Sequence, residues 1–127
     1  MRQRLISRGA DPVNLGRLRT ATGAALLVLF VNPDGKLCWR NAVTATNTCS
    51  TLAITTGVWR RIDVHLKPAA TSGLVEVWVN GAKIAALSQT ANFGSAAIGM
   101  LDLGEQTPGR SFDQAFDDVG LDSQPPA

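Results

Sequence analysis

The chain has 127 residues and a formal net charge of +2; 45% of its residues are hydrophobic and 17% are charged. These values are typical of one globular domain with its own core, and they exclude a disordered chain. The longest apolar run, residues 23–31, is about half the length of a membrane-spanning helix. The small net charge excludes a dedicated nucleic-acid-binding protein, so neither a membrane nor a nucleic acid is expected as partner.

The charge is unevenly distributed along the chain. Residues 1–20 contain five arginines and one aspartate, whereas residues 101–122 contain six acidic residues and one arginine. The arginines are spaced apart and have no aromatic residue among them, which favours solvated strand faces over a nucleic-acid-binding arm. We expect the two ends to attract each other across the fold. No cleavage site follows the apolar run, so an export signal is not expected in this chain.

Short strand-like segments separated by turn residues follow one another along the chain. The predicted strands are residues 24–31, 36–40, 51–55, 57–67, 74–79, 83–87, 96–103 and 111–121. The first of them is apolar on both parities, as in a strand buried on both faces. Asn80-Gly81 is the preferred pair for a tight hairpin turn. No segment has sustained helical periodicity, so the prediction is an all-β domain, an antiparallel two-sheet β-sandwich.

Four motifs occur in a characteristic order. They are the strand at 57–66 beginning Gly-Val-Trp, the hairpin at 73–81 with Trp78, the Ile-Gly and Leu-Gly pairs at 98–99 and 103–104, and Phe-Asp-Asp-Val-Gly-Leu-Asp at 116–122. Together they resemble the laminin G-like (LamG) branch of the concanavalin A-like lectin/glucanase superfamily, over residues 15–122. The resemblance implies a jelly roll and implies less about activity, because this fold carries lectins, hydrolases, lyases and adhesive modules.

The resemblance also implies the domain organisation. We expect one domain at residues 1–122, with an atypical basic start at 1–14 and a C-terminal tail at 123–127. Family members have more strands before the position that matches Leu15, including one that pairs with the closing strand. The domain is therefore expected to be incomplete at its N-terminus and part of a longer protein, with the strand near Ser111 lacking a neighbour. Such an open edge favours a dimer or aggregation.

Catalysis is not predicted for this chain. Retaining glycosidases need two carboxyl groups about 5–5.5 Å apart and inverting ones need about 6.5–9.5 Å. The superfamily's glucanases carry theirs in a Glu-x-Asp-x-x-Glu pattern, which has no counterpart in this sequence. Asp113 and Asp117 share a strand parity but would lie about 13 Å apart. His65 has no serine or cysteine nucleophile close to it in sequence, so we expect it to be a solvent-facing histidine beside Asp63.

Carbohydrate is the first-choice ligand, because lectin-like sites stack an aromatic ring on a pyranose and bind its hydroxyls through planar polar groups. Trp78 has the parity opposite to the valines of its strand and shares it with Glu76. If segment 57–67 pairs beside it, Arg61 and His65 lie on the same face. Two alternatives stay open: the second sheet covers this face, or Trp78 is a core residue. Trp59 and Trp39 are expected to be structural. A structural or protein–protein module without a small ligand is the alternative function.

A structural Ca²⁺ site is a further candidate. Asp117 and Asp118 match the closing-strand position at which jelly-roll modules hold Ca²⁺ with hard oxygen ligands. A carboxylate that accepts backbone N–H bonds explains the same residues without a metal. No cofactor is required by either explanation.

The two cysteines favour a disulfide. If residues 36–40 and 47–51 form a hairpin, Cys38 and Cys49 lie directly opposite each other, close enough to be bridged. Two exposed free thiols would be unusual, so we expect the disulfide and, with it, an extracellular or cell-envelope location. Closing a loop of about a dozen residues stabilises a fold by roughly 3 kcal/mol.

Overall fold

The computed structural model describes residues 1–124 and consists of two antiparallel β-sheets packed face to face. The strands are β1 Arg2–Arg8, β2 Val13–Thr20, β3 Ala25–Val31, β4 Lys36–Asn41, β5 Thr46–Ala53, β6 Trp59–Lys67, β7 Gly73–Val79, β8 Ala82–Lys83, β9 Gln89–Ala91, β10 Ile98–Leu103 and β11 Phe112–Asp117. Sheet I has the order β11-β1-β6-β7-β8, with β9 also paired to β7, and sheet II has the order β10-β2-β3-β4-β5. The predicted all-β two-sheet sandwich is confirmed.

The core lies between the inner faces of the two sheets. Val75, Val77 and Val79 alternate along β7 and are all buried, as the period of two predicts. Trp39 on β4 is fully buried; its ring centroid lies 5.8 Å from that of Phe93, and its Nε1 donates a hydrogen bond to the Leu87 carbonyl at 3.0 Å. Trp39 is therefore a core residue, as predicted.

Strand β3 is buried on both faces, as its apolar sequence predicts. Leu26, Leu27 and Leu29 belong to the core, whereas Phe30 on the outer face is also buried. β3 is the central strand of sheet II, so residues of β2 and β4 flank it on both sides. These neighbours shield its outer-face side chains from water.

The structure contains the short strand β9, which the sequence did not predict, and three further differences have a physical reason. β2 is missing from the predicted strands because a bulge between Asn14 and Gly16 inserts an extra residue into it and breaks its alternation. The predicted strand at 51–55 begins earlier, since β5 starts at Thr46 and its first, polar residues already pair with β4. In the predicted strand at 83–87, residues Ala85–Leu87 form a 3₁₀ turn that buries Leu87 in the core.

The prediction that the strand near Ser111 lacks a neighbour is wrong. β1 pairs with β11, from Arg2 opposite Asp117 to Arg8 opposite Phe112, and on its other side with the start of β6. The seven residues of β1 are enough to form this ladder. Within residues 1–124, the far side of β11 has no strand beside it, so association through that edge stays a prediction. Of the predicted tail at 123–127, residues 125–127 lie outside the described residues.

The predicted disulfide is present. Cys38 on β4 lies opposite Cys49 on β5, and the two sulfur atoms are bonded. Cys38 is fully buried and Cys49 is exposed. In the part of the chain described, no helix has the length and apolarity needed to cross a membrane.

Candidate functional site

The outer face of sheet I, turned away from sheet II, brings together the residues that the sequence predicts for ligand binding. β6 and β7 pair so that Asp63 lies opposite Trp78 and His65 opposite Glu76. Because side chains alternate along a strand, Arg61 shares this face as well. The buried valines of β7 point the other way, into the core. The alternative in which sheet II covers the Trp78 face is therefore wrong.

Trp78 is half-buried on this outer face and is not a core residue. Lys83 lies directly opposite on the short strand β8, and its Nζ lies 5.6 Å from the centroid of the indole ring. A cation at this distance is attracted by the negative face of the ring. The predicted tight turn at Asn80-Gly81 is present, with positive φ at both residues, and it places Lys83 opposite Trp78.

Glu76 is the centre of a polar cluster beside Trp78. Its carboxylate accepts hydrogen bonds from the Lys83 ammonium and from Nδ1 of His65, the latter at 3.1 Å. The bond from Lys83, followed by that from His65, holds the pKa of Glu76 below its ordinary value. Glu76 is therefore an ionised acceptor at neutral pH, and His65 keeps Nε2 free of hydrogen bonds to the described residues.

Arg61 lies at the end of the same face but is engaged elsewhere. Its Nε lies 2.8 Å from the Asp63 carboxylate, and its backbone N–H donates to Oδ1 of Asn80 at 3.0 Å. Asp63 in turn lies 3.8 Å from the N-terminal ammonium of Met1. Of the four predicted ligand-binding residues, Glu76 and His65 are in direct contact, while Arg61 belongs to a neighbouring ion pair.

Trp59 is a second tryptophan on the outer face, and the sequence interpretation missed its position. It lies opposite Arg4 of β1 and is 37% exposed, so it is not part of the core. The guanidinium carbons of Arg2 and Arg4 lie 5.7 and 5.9 Å from its ring centroid. Trp59 has the same strand parity as Arg61, Asp63 and His65. This alternation in the sequence could have predicted that Trp59 lies on the same face as they do.

Asp117 and Asp118 lie at the end of β11, on the edge of sheet I. The Asp117 carboxylate accepts the backbone N–H of Asp118 at 2.8 Å, and Asp118 lies 4.0 Å from Arg2. Within residues 1–124, no group of three or more His, Cys, Asp or Glu side chains could hold a metal ion. The geometry therefore lends no support to the calcium site, which stays a prediction, and the hydrogen bond matches the metal-free explanation.

A cleft of about 890 Å³ opens between the two sheets where residues 118–124 pass. Aliphatic side chains from both sheets line it, together with charged ones that include Arg17, Arg61 and Asp63; the aliphatic ones are Leu18, Leu27, Leu29, Ile62, Val64 and Leu101. None of the described residues that line the cleft has an aromatic ring on which a sugar could stack. The outer face of sheet I, which carries Trp59 and Trp78, is therefore the better candidate for a ligand that stacks on an aromatic ring.

Compared with protein-family models, with curated proteins and with solved structures, the chain gives no match. Function is therefore inferred from the chemistry of the outer face.

Proposed function

We propose that this chain is a non-catalytic carbohydrate-binding module, a LamG-like jelly roll belonging to an extracellular or cell-envelope protein. The observation that carries the proposal is the presence of two partly exposed tryptophans, Trp59 and Trp78, on one open sheet face. Polar side chains accompany them on the same face: Arg61 lies between the two rings along β6, Asp63 lies directly opposite Trp78, and His65 lies two positions beyond.

The chemistry of this face suits a sugar chain. An indole ring offers a flat apolar surface to the C–H groups of a pyranose. Glu76 accepts hydrogen bonds from hydroxyl groups, and the free Nε2 of His65 is a further hydrogen-bonding group. Trp78 lies opposite Asp63, four positions along β6 from Trp59, which separates the two tryptophan positions by about 14 Å. An oligosaccharide of several residues is long enough to contact both rings.

The ionic contacts on this face support binding rather than catalysis. Glu76 is kept ionised by Lys83 and His65, so it is a poor proton donor at neutral pH. Asp63 forms an ion pair with Arg61 and lies close to the N-terminal ammonium. Both carboxylates are therefore occupied in ion pairs.

Two structural findings support the proposed LamG-like family and the proposed extracellular or cell-envelope location. A two-sheet antiparallel sandwich is compatible with a jelly roll, to which the sequence motifs point. The Cys38–Cys49 disulfide is consistent with an oxidising compartment.

Affinity electrophoresis through gels containing soluble polysaccharides tests the proposal. We expect at least one polysaccharide to retard the protein, and Trp78→Ala to weaken that binding about ten-fold through loss of one stacked ring. Val43→Ala, which truncates an exposed side chain in the β4–β5 turn, is the matched control and should leave the retardation unchanged. Equal retardation of Trp78→Ala and the unmodified protein would contradict the site.

A protein–protein module is the second candidate, and one observation favours it. Ile6, Val58 and Trp59 are exposed apolar side chains near one end of the outer face, with Arg2 and Arg4 beside them. Tryptophan and arginine are enriched among residues that dominate binding energy at protein interfaces. Absence of binding to every polysaccharide, with Trp59→Ala weakening the affinity for a neighbouring domain of the parent protein, would favour this function.

A further inference from the structure

We infer that Trp59, Arg2 and Arg4 form a second subsite on the outer face, and that this subsite selects sugar residues bearing a carboxylate, such as uronic acids. The inference rests on the proposed function and deepens it by naming the class of sugar. No residue of this subsite belongs to the Trp78 cluster.

The first observation is the position of the two guanidinium groups. Arg2 and Arg4 alternate on β1, so both project from the outer face, and both lie within 6 Å of the Trp59 ring centroid. An arginine beside an aromatic ring can present its N–H edge to a carboxylate while the sugar ring stacks on the remaining aromatic surface. Trp59 keeps 37% of its surface exposed for this contact.

The second observation is that Arg4 has no acidic partner among residues 1–124. Its cross-strand neighbours are Trp59 on β6 and Ala115 on β11, neither of which is charged. Its Nε is buried and has no hydrogen-bond partner within the described structure. The buried Nε cannot be reached by a ligand, so a carboxylate would bind the terminal N–H groups of the Arg4 guanidinium, which have no acidic partner within residues 1–124.

Arg2 contributes less than Arg4. Its only ion pair in the described part of the chain is with Asp118 at 4.0 Å, and both side chains are at least half exposed. Asp117 lies opposite Arg2 in the ladder and weakens the local attraction for an anion. Arg4 is therefore the main carboxylate-binding residue of the subsite.

The contrast with Trp78 supports two different subsites. The cation at Trp78 is Lys83, which is already bonded to the ionised Glu76. The positive charge of Lys83 is therefore balanced by Glu76, so this cluster suits a neutral sugar residue better than an anionic one. The outer face therefore combines a neutral platform at Trp78 with an anion-selective one at Trp59.

The test is calorimetric titration of the protein with short oligogalacturonides and with their methyl esters, which keep the sugar ring and lose the charge. We expect the acid to bind about ten-fold more tightly than the ester. Arg4→Gln should remove this preference and leave ester binding unchanged, whereas Trp59→Ala should weaken both. Arg4→Lys keeps the positive charge and should retain part of the preference, which also guards against a folding defect in Arg4→Gln.

Lys67→Gln is the matched control, because it removes one positive charge from the far end of β6 on the same face. It should leave the preference intact. Equal binding of acid and ester by the unmodified protein, or a preference that survives in Arg4→Gln, would overturn the subsite while the proposed function stands. Equally tight binding of a sulfated oligosaccharide or an acidic peptide would overturn the selectivity for a uronic acid. If neither acid nor ester binds, the proposed function fails for this sugar class together with the subsite.

Discussion

A single side chain, Glu105, connects the end of sheet II to the loop that leads into β11. Its buried carboxylate accepts hydrogen bonds from the backbone N–H groups of Asn14 at 2.7 Å and Thr107 at 2.8 Å, and from Arg110 at 2.7 Å. Burial alone would raise the pKa of Glu105, but these donors outweigh it and the net pKa is lowered. The ionised form is therefore the one that the fold stabilises.

This carboxylate makes stability depend on pH in a defined direction. Because the pKa of Glu105 is lower in the folded state, its contribution is fully present above the ordinary glutamate value and is lost as the pH falls below about 4. We expect Glu105→Gln to reduce the free energy of unfolding by about 1–3 kcal/mol at neutral pH and to flatten its decline in acid. Urea unfolding at neutral and acidic pH measures both effects.

Asp11→Asn is the matched control for this measurement, since Asp11 is an exposed carboxylate. It should change the unfolding free energy little at either pH. A Glu105→Gln variant whose acid sensitivity equals that of the unmodified protein would show that Glu105 does not contribute.

At the scale of elements, strand parity is what the sequence predicts best. The period of two in β6 and β7 correctly groups Arg61, His65, Glu76 and Trp78, because alternation is local. The contact between Trp59 and Arg4 could not be predicted, since it depends on pairing between strands 55 residues apart in sequence. Strand β2 could not be predicted for a related reason. The bulge between Asn14 and Gly16 adds one residue, and this reverses the inward–outward alternation on which the prediction of a strand relies.

The β4–β5 hairpin permits a direct test of an element. Its register was predictable from the cysteines alone, and the disulfide closes a loop with a sequence separation of 11. We expect reduction to cost roughly 3 kcal/mol of stability and to lower the melting temperature by several degrees, because the unfolded chain regains conformational freedom. Thermal unfolding with and without reductant measures this.

The double variant Cys38→Ala, Cys49→Ala provides the control, since reductant should not change its melting temperature. Ellman's reagent should find essentially no free thiol in the unfolded, unreduced protein. Two titratable thiols in protein kept under oxidising conditions would contradict both the disulfide and the proposed location.

At the scale of the whole molecule, the basic start and the acidic end of the chain meet. β1 pairs with β11 and β2 pairs with β10, so Arg2 lies opposite Asp117, and Arg17 and Arg19 both contact Asp102. The hydrogen bond from Arg19, with the nearby charge of Arg17, lowers the pKa of Asp102. The expected attraction between the ends is confirmed. It involves Arg2, Arg17 and Arg19, three of the five arginines in residues 1–20.

The central claim is that the outer face of sheet I binds carbohydrate, and the indole N–H signals of the three tryptophans test it directly by NMR titration. Trp59 and Trp78 lie on that face, whereas Trp39 is sealed in the core and serves as an internal control. On addition of a polysaccharide that retards the protein, we predict shifts at Trp59 and Trp78 and none at Trp39. Binding that leaves both outer signals unmoved would contradict the account.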